Sequence, residues 1–271
     1  MPGRRLLPTL VAVAAGLLLA GVAPAGGQAP AIDQSSTNPC DDAALALKCP
    51  DLRMAPPSDL RIQHAGGGRV RLLTANHIVN VGQGPLELVG TKDPARPRFA
   101  QAVQVIRTRG GRPVYFPAAG WIYWKAIPGQ GHYWKYYRAA RFELWTLNPD
   151  GTRAQMVRTG PKLSYCFRDL ARVRTWARTP KQRVFPACSQ SFGRRALRLG
   201  VSPGWADVYP ATYHQNWIDV TGLRGCFAFV HRADPTGQLI EQREDNNLAE
   251  RIVRLPARRG SVAARGCPRP R

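Results

Sequence analysis

Two short segments supply an amine, a carboxylate and a phenol in a chain of 271 residues. Lys162 lies in Gly160–Cys166 (GPKLSYC), and Asp207 and Tyr209 lie in Gly200–Asp219 (GVSPGWADVYPATYHQNWID). Taken singly, a lysine is ordinarily a solvated charge and a tyrosine in a strand is ordinarily core, so only the surrounding motifs give these residues a chemical meaning. Imidazole is the donor in this chain suited to a transition metal such as copper. The histidines are His64, His77, His132, His214 and His231. The ordinary role of each is surface or packing. Between Trp121 and Trp145 stand nine aromatic residues. Such density can stack on sugars or cations, although a core layer with loop packing is the commoner outcome.

The motifs acquire meaning together. Pro50-Asp51-Leu52 precedes a strand-like run. GPKLSYC follows, then the block SPG-x-x-D-x-Y with Trp217-Ile218-Asp219-Val220-Thr221, then Glu241 with Asp245-Asn246-Asn247. In this order and spacing they resemble the catalytic domain of the lysyl oxidase family over residues 49–256. The SPG block is the specific part, and the other pieces weigh in combination with it. The resemblance implies a secreted copper amine oxidase with a compact, mostly β fold. Such an enzyme turns the ε-amine of peptidyl lysine, or a small primary amine, into an aldehyde. It consumes oxygen and releases ammonia and hydrogen peroxide. By resemblance, Lys162 and Tyr209 fall on the lysine and tyrosine that cross-link into the quinone cofactor, which copper is needed to make. A quinone condenses with an amine and drains electrons from the adjacent carbon. Asp207, two residues before Tyr209, is by position the candidate base for that carbon's proton.

Two metal sites are implied in the same way. The family's H-x-H-[YW]-H copper run corresponds here to Gly129–Tyr136 (GQGHYWKY), where His132 alone is retained. The other ligand places fall on Gln130 and Trp134. With the register moved by one residue, all three fall on Gly131, Tyr133 and Lys135. His214, beside the Tyr209 block, is the remaining candidate copper ligand. The family's calcium site corresponds to Asp51 and Leu52 (by its carbonyl) with Glu241, Asn246 and Asn247. Arg243 stands where the family has an aspartate, and Glu244 or Asp245 could supply the missing oxygen. Oxygen ligands of this kind suit calcium, and a hairpin turn with amide-capped backbone is the plain alternative.

The elements that must position these groups read as strands. Arg69–Val81, Pro85–Gly90, Ala102–Thr108, Arg141–Leu147, Leu163–Phe167, Gly225–His231 and Leu248–Leu255 have strand-like composition. Helical periodicity is confined to one turn near Arg168–Arg178. With 26 glycines and 24 prolines to supply turns, the expectation is mainly β: a single antiparallel β-sandwich-like domain with long loops and little helix. Residues 1–25 read as a signal peptide: Arg4 and Arg5, the apolar run Leu10–Val22, then Ala23-Pro24-Ala25. Residues 26–48 read as a flexible leader, 49–256 as the domain and 257–271 as a basic tail. After signal removal no segment is long and apolar enough to span a membrane. All six cysteines follow the signal, and none is spaced as CxxC. Disulfides are therefore expected, and local closeness suggests Cys40–Cys49, Cys166–Cys188 and Cys226–Cys267 among the 15 pairings that six cysteines allow.

Charge sets the choice of partner. The formal net charge is +22, and residues 168–198 hold nine basic residues against one acid, Asp169. The apolar content, 44%, excludes a disordered chain. With a secretory signal and no nucleic-acid motif, nucleic acid is not the expected partner. A secreted, extracytoplasmic protein of this charge attracts anionic surfaces. The alternative to the amine oxidase is therefore a catalytically silent binding module on the same fold, holding anionic envelope polymers.

Overall fold

The computed structural model describes residues 38–257, 262 and 264–268. After a single 3₁₀ turn (Pro39–Asp41) the chain builds strands: β1 (Leu47–Lys48), β2 (Leu52–Met54), β3 (Ser58–His64), β4 (Val70–Asn80), β5 (Leu86–Lys92) and β6 (Phe99–Thr108). There follow β7 (Pro113–Phe116), β8 (Trp121–Ile127), β9 (Gly131–Tyr136), β10 (Ala140–Leu147), β11 (Arg153–Thr159) and β12 (Ala171–Arg172). The last are β13 (Ala196–Val201), β14 (Trp205–Tyr209), β15 (Trp217–Asp219), β16 (Gly225–Ala233) and β17 (Leu248–Leu255). The fold is mainly antiparallel β, as expected. Among the described residues no helix is long and apolar enough to cross a membrane.

Three sheets surround one core. The first runs β13-β5-β6-β8-β9, with β1 and β7 also on β6; the second runs β11-β10-β16-β17. The third runs β12-β14-β4-β15, with β2 and β3 also on β4. The central strands β4 and β16 are buried on both faces over part of their length, and β16 carries the apolar run Cys226–Val230 there. Leu72, Ile78, Ile122, Trp134, Phe142, Tyr165, Ile218 and Phe229 are all fully enclosed in the shared core. Of the nine aromatics between Trp121 and Trp145, Trp134, Tyr136 and Phe142 are core, Trp124 and Tyr133 pack against it, and the other four are half-buried.

Five of the seven expected runs form strands within two or three residues of the anticipated bounds, and Leu248–Leu255 does so without change. Leu163–Phe167 does not. It touches the sheet through one isolated bridge, Tyr165 to Tyr136. Its backbone turns away at Phe167, whose φ of 51° lies in the left-handed region that breaks a ladder. The helical turn expected near Arg168–Arg178 is also absent. That segment holds only the two-residue β12, paired to β14. Asp169 explains why. Its carboxylate accepts hydrogen bonds from the Val184 and Phe185 amides (2.9 and 3.2 Å) and from the Ser202 amide and hydroxyl (both 2.8 Å). The backbone is anchored as a loop by distant partners.

The disulfides are Cys40–Cys49, Cys166–Cys188 and Cys226–Cys267, the pairing suggested by proximity in sequence. The expected signal peptide, 1–25, lies outside the described residues. Of the stretch 26–48 expected as a flexible leader, residues 38–48 are fastened instead: Cys40 is bridged to Cys49, and β1 pairs with β6. In the tail, Cys267 is tied to β16 through Cys226.

Candidate functional site

The turn Ser202-Pro203-Gly204 launches β14. Gly204 sits at φ 78°, and a Cβ there would come within 2.9 Å of the Thr179 side-chain methyl, so the turn requires glycine. β14 then pairs with β4, Asp207 opposite Ile78 and Tyr209 opposite Asn76. Residues two apart on a strand share a face, so Asp207 and Tyr209 point together into the core. Lys162 reaches the same place from the other side. Gly160 lies so close to β15 that a Cβ would meet the Trp217 carbonyl oxygen at 2.6 Å. That contact seats GPK directly under the Trp-Ile-Asp strand.

The structure therefore brings Lys162, Asp207 and Tyr209 together. Lys162 Nζ stands 3.4 Å from the Tyr209 ring centroid, 4.2 Å from that of Tyr213 and 4.3 Å from that of Tyr165. The amine is fully buried and has no hydrogen-bond partner among the described residues. Burial, reinforced by the nearby Lys135 ammonium and opposed by Asp207, holds its pKa well below the usual lysine value. The Tyr209 hydroxyl donates to Asp207 Oδ2 at 3.4 Å and accepts from the Cys166 amide at 3.3 Å. Burial, with Asp207 adding to it, holds Tyr209 well above the ordinary phenol. Asp207 also accepts from the Phe167 amide at 3.1 Å. Burial pushes this carboxyl up to about 6, against the pull of Lys162, Arg168 and Lys135.

Sequence reasoning missed the hairpin opposite. β8 and β9 pair with Tyr123 across from Lys135 and Lys125 across from Tyr133. One face of the hairpin is thus a checkerboard of two phenols and two amines. Lys135 Nζ donates to the Tyr213 hydroxyl at 3.1 Å and to the Tyr209 hydroxyl at 3.4 Å. Lys125 Nζ donates to Ser164 Oγ at 2.9 Å and to Gln215. Burial lowers both lysines to about 8. Three of the chain's six lysines, 125, 135 and 162, meet here, whereas arginine supplies its other 33 strong cations. Lysine sheds its charge on burial and arginine does not. That compositional contrast was the available signal.

The same hairpin decides the register of the copper run. The face directed at Tyr209 carries Gly131, Tyr133 and Lys135. His132 projects from the opposite face, where its ring stacks on Trp124 at 5.6 Å. His214 packs on Tyr213 at 4.5 Å. Burial and the three nearby lysines lower it to about 4. Among the described residues, no group of three or more His, Cys, Asp and Glu donors includes a histidine. A glycine without a side chain, a phenol and an ammonium do not make a copper set, so the donors present do not fit copper.

The calcium residues do come together. Asn246 Nδ2 donates to Asp51 Oδ1 at 2.9 Å, and Asn247 Nδ2 to Glu241 Oε1 at 3.0 Å. The Leu52 amide donates to the other Glu241 oxygen. The side-chain carbonyl oxygens of Asn246 and Asn247 are buried without partners. Carboxylate oxygens of Asp234, Glu241 and Glu244 lie within 4.8 Å of one another. Burial raises all three acids, and repulsion from neighbouring carboxylates adds to it at Glu241, which is raised strongly, and at Glu244, raised to about 7. Of the two acids that could replace the family's aspartate, Glu244, though exposed, directs its carboxylate to Asp234 and Glu241. Asp245 turns out and pairs with Arg243 at 3.0 Å. Orphaned oxygens around crowded carboxylates fit a hard cation.

No curated protein matches the chain. The family model for lysyl oxidase matches residues 91–267, which takes in the Lys162 loop, the Tyr209 strand and the Glu241–Asn247 turn. That match and the meeting of Lys162 with Tyr209 agree on one conclusion: the chain belongs to the lysyl oxidase family.

Proposed function

We propose that this chain is a lysyl oxidase family member in which a buried ammonium stands where the family holds copper, and that it serves as a secreted binding module for anionic polymers. One observation carries the reading. On the strand face where the family's histidines would project, Lys135 reaches the Tyr209 hydroxyl at 3.4 Å, and no imidazole joins it. A cation at this point repels a metal ion and a protonated amine substrate alike. The surface agrees. The one acid of the loop 168–198, Asp169, is buried and engaged by backbone, while Arg172, Arg174, Lys181, Arg183, Arg194 and Arg195 are exposed. Three disulfides and the Ala-Pro-Ala signal favour an oxidising, extracytoplasmic location.

Calcium has a structural part in this proposal. Asp51, the Leu52 carbonyl, Glu241, Glu244, Asn246 and Asn247 would hold it. The bound charge would neutralise the crowded acids and clamp the turn before β17 to the entry of β2.

Amine oxidation is the second reading, favoured by the contact of Lys162 with Tyr209. An amine over the face of the ring is placed as a cross-link would need, with Asp207 beside it as the base. One experiment separates the two. The secreted protein is loaded with copper under air, and bound copper, a Lys162–Tyr209 cross-linked peptide and peroxide release from primary amines are measured. We expect substoichiometric copper, no cross-link and no peroxide. One copper per chain with the cross-link would establish the oxidase instead.

A further inference from the structure

Beside the Lys162–Tyr209 pair the protein opens a small cleft of about 40 Å³, lined by Tyr133, Lys135, Arg168, Tyr209 and Tyr213. Its chemistry is donor-rich. Lys135 Nζ lies between two phenol oxygens. Arg168 Nε is buried without any hydrogen-bond partner, and its nearest acid, Asp207, is 4.0 Å away. Four cationic side chains, Lys125, Lys135, Lys162 and Arg168, act on Asp207 or on one another here, and Asp207 is the single acid among them. Two buried acids elsewhere are matched by arginine: Glu143 meets Arg141 and Arg232, and Glu87 meets Arg107 and Arg198. This cleft instead carries a surplus of basic groups, two of them on its wall.

We infer that this cleft is a binding site for one small oxyanion, a phosphate or carboxylate group, held between Lys135 and Arg168 with the tyrosine hydroxyls as further donors. An oxyanion supplies what the site lacks. It gives a counter-charge to Lys135 and to the Arg168 guanidinium on the cleft wall, and acceptors for the phenol protons of Tyr133 and Tyr213. Charge-assisted bonds of this type are the strong ones, and the guanidinium fork matches a planar or tetrahedral oxyanion. The inference deepens the binding-module reading and rests on the site being free of copper. It names the group that is recognised, the charged end or side group of an anionic chain, and the cleft where it lodges. The exposed arginines of 168–198 would then add non-specific attraction around it.

The test is thermal unfolding of the full mature protein, prepared without copper, in inorganic phosphate, in acetate, in polyphosphate and in sodium chloride of matched ionic strength. Phosphate should raise the melting temperature by about 3 °C or more over chloride, with saturation. Lys135→Met and Arg168→Gln should each remove at least four-fifths of that shift. Arg168 is one-third exposed, so its variant folds even if the buried Lys135→Met does not. Equal effects of chloride and phosphate would overturn the site. So would full phosphate response in Arg168→Gln. Polyphosphate binding that survives both substitutions, with no response to inorganic phosphate, would place recognition on the surface loop and also overturn it. None of these results depends on the copper and cross-link measurement, so failure of the cleft and failure of the binding-module reading are told apart.

Discussion

The Lys162 amine sits 3.4 Å above the centre of the Tyr209 ring, sealed from solvent and without a hydrogen-bond acceptor among the described residues. The ring face offers it some compensation as a cation–π partner, as do the rings of Tyr165 and Tyr213. Burial still disfavours its charged form, and Lys135 nearby adds repulsion. A natural core tolerates such a group when its chemistry, present or ancestral, requires it. This one relationship links the fold, the family and the electrostatics of the site.

The first consequence concerns stability. Lys162→Met keeps the volume and removes the amine. It should stabilise the protein by about 1–3 kcal/mol, in the way that replacing unmatched buried charge by apolar groups does. The urea midpoint of the variant measures this. A loss of more than 1 kcal/mol would show that the amine is held by favourable contacts in the folded state.

A second consequence is an alkaline gain in stability. Lys125 and Lys135 titrate near 8 in the folded protein and near 10.5 when unfolded. Between these values the unfolded chain binds more protons, so unfolding free energy rises with pH. Facing them are Lys162, Arg168, Asp207, His214 and the hydroxyls of Tyr123, Tyr133, Tyr209 and Tyr213. Asp207, pushed up to about 6, acts the other way and only below that value. The tyrosines, held above 10, oppose the gain only near and above pH 10. From pH 7 to 9.5 the expected gain is about 2 kcal/mol, after allowance for partial exposure. Urea unfolding at the two pH values checks it, and the Lys125→Met/Lys135→Met double variant should flatten the slope.

Calcium should raise the melting temperature of chelator-treated protein, by about 2.7 kcal/mol of stability at a hundredfold excess over the dissociation constant. Glu241→Gln and Asn247→Ala should abolish the response. Glu244→Gln should weaken it far more than Asp245→Asn, because Glu244 faces the other acids and Asp245 faces Arg243. Equal effects of these last two substitutions would count against the role of Glu244 beside Asp234 and Glu241.

Asp169 is the anchor of the basic loop. Asp169→Ala would leave the amides of Val184, Phe185 and Ser202 without their acceptor. The expected cost is about 3–5 kcal/mol, the usual loss when one partner of a buried charged network is removed. Chemical denaturation measures that cost. Proteolysis within 170–195 should also speed up, since the loop loses its tie to the turn before β14.

Much of this was legible in the residues. Alternating and β-branched runs named β4, β5, β6, β10, β16 and β17, because side-chain period is a local property. Cysteine spacing suggested the three disulfides, since short loops close most readily. The SPG and GPK motifs paired Lys162 with Tyr209. What only the tertiary structure decided was which groups share a volume. Lys125 and Lys135 belong to a hairpin whose face is fixed by pairing register, and a shift of one residue would replace Gly131, Tyr133 and Lys135 at the site by Gln130, His132 and Trp134. Sequence left both registers of the copper run open, and strand pairing chose the one without imidazole. Glu244 and Asp245 are adjacent and both acidic, and the turn before β17 sends one to Asp234 and Glu241 and the other to Arg243. Leu163–Phe167 has the composition of a strand, yet Phe167 in the left-handed region ends its pairing. Periodicity, turns and bridges follow from neighbours in the chain. A site made by three separate segments depends on distances that no local pattern contains.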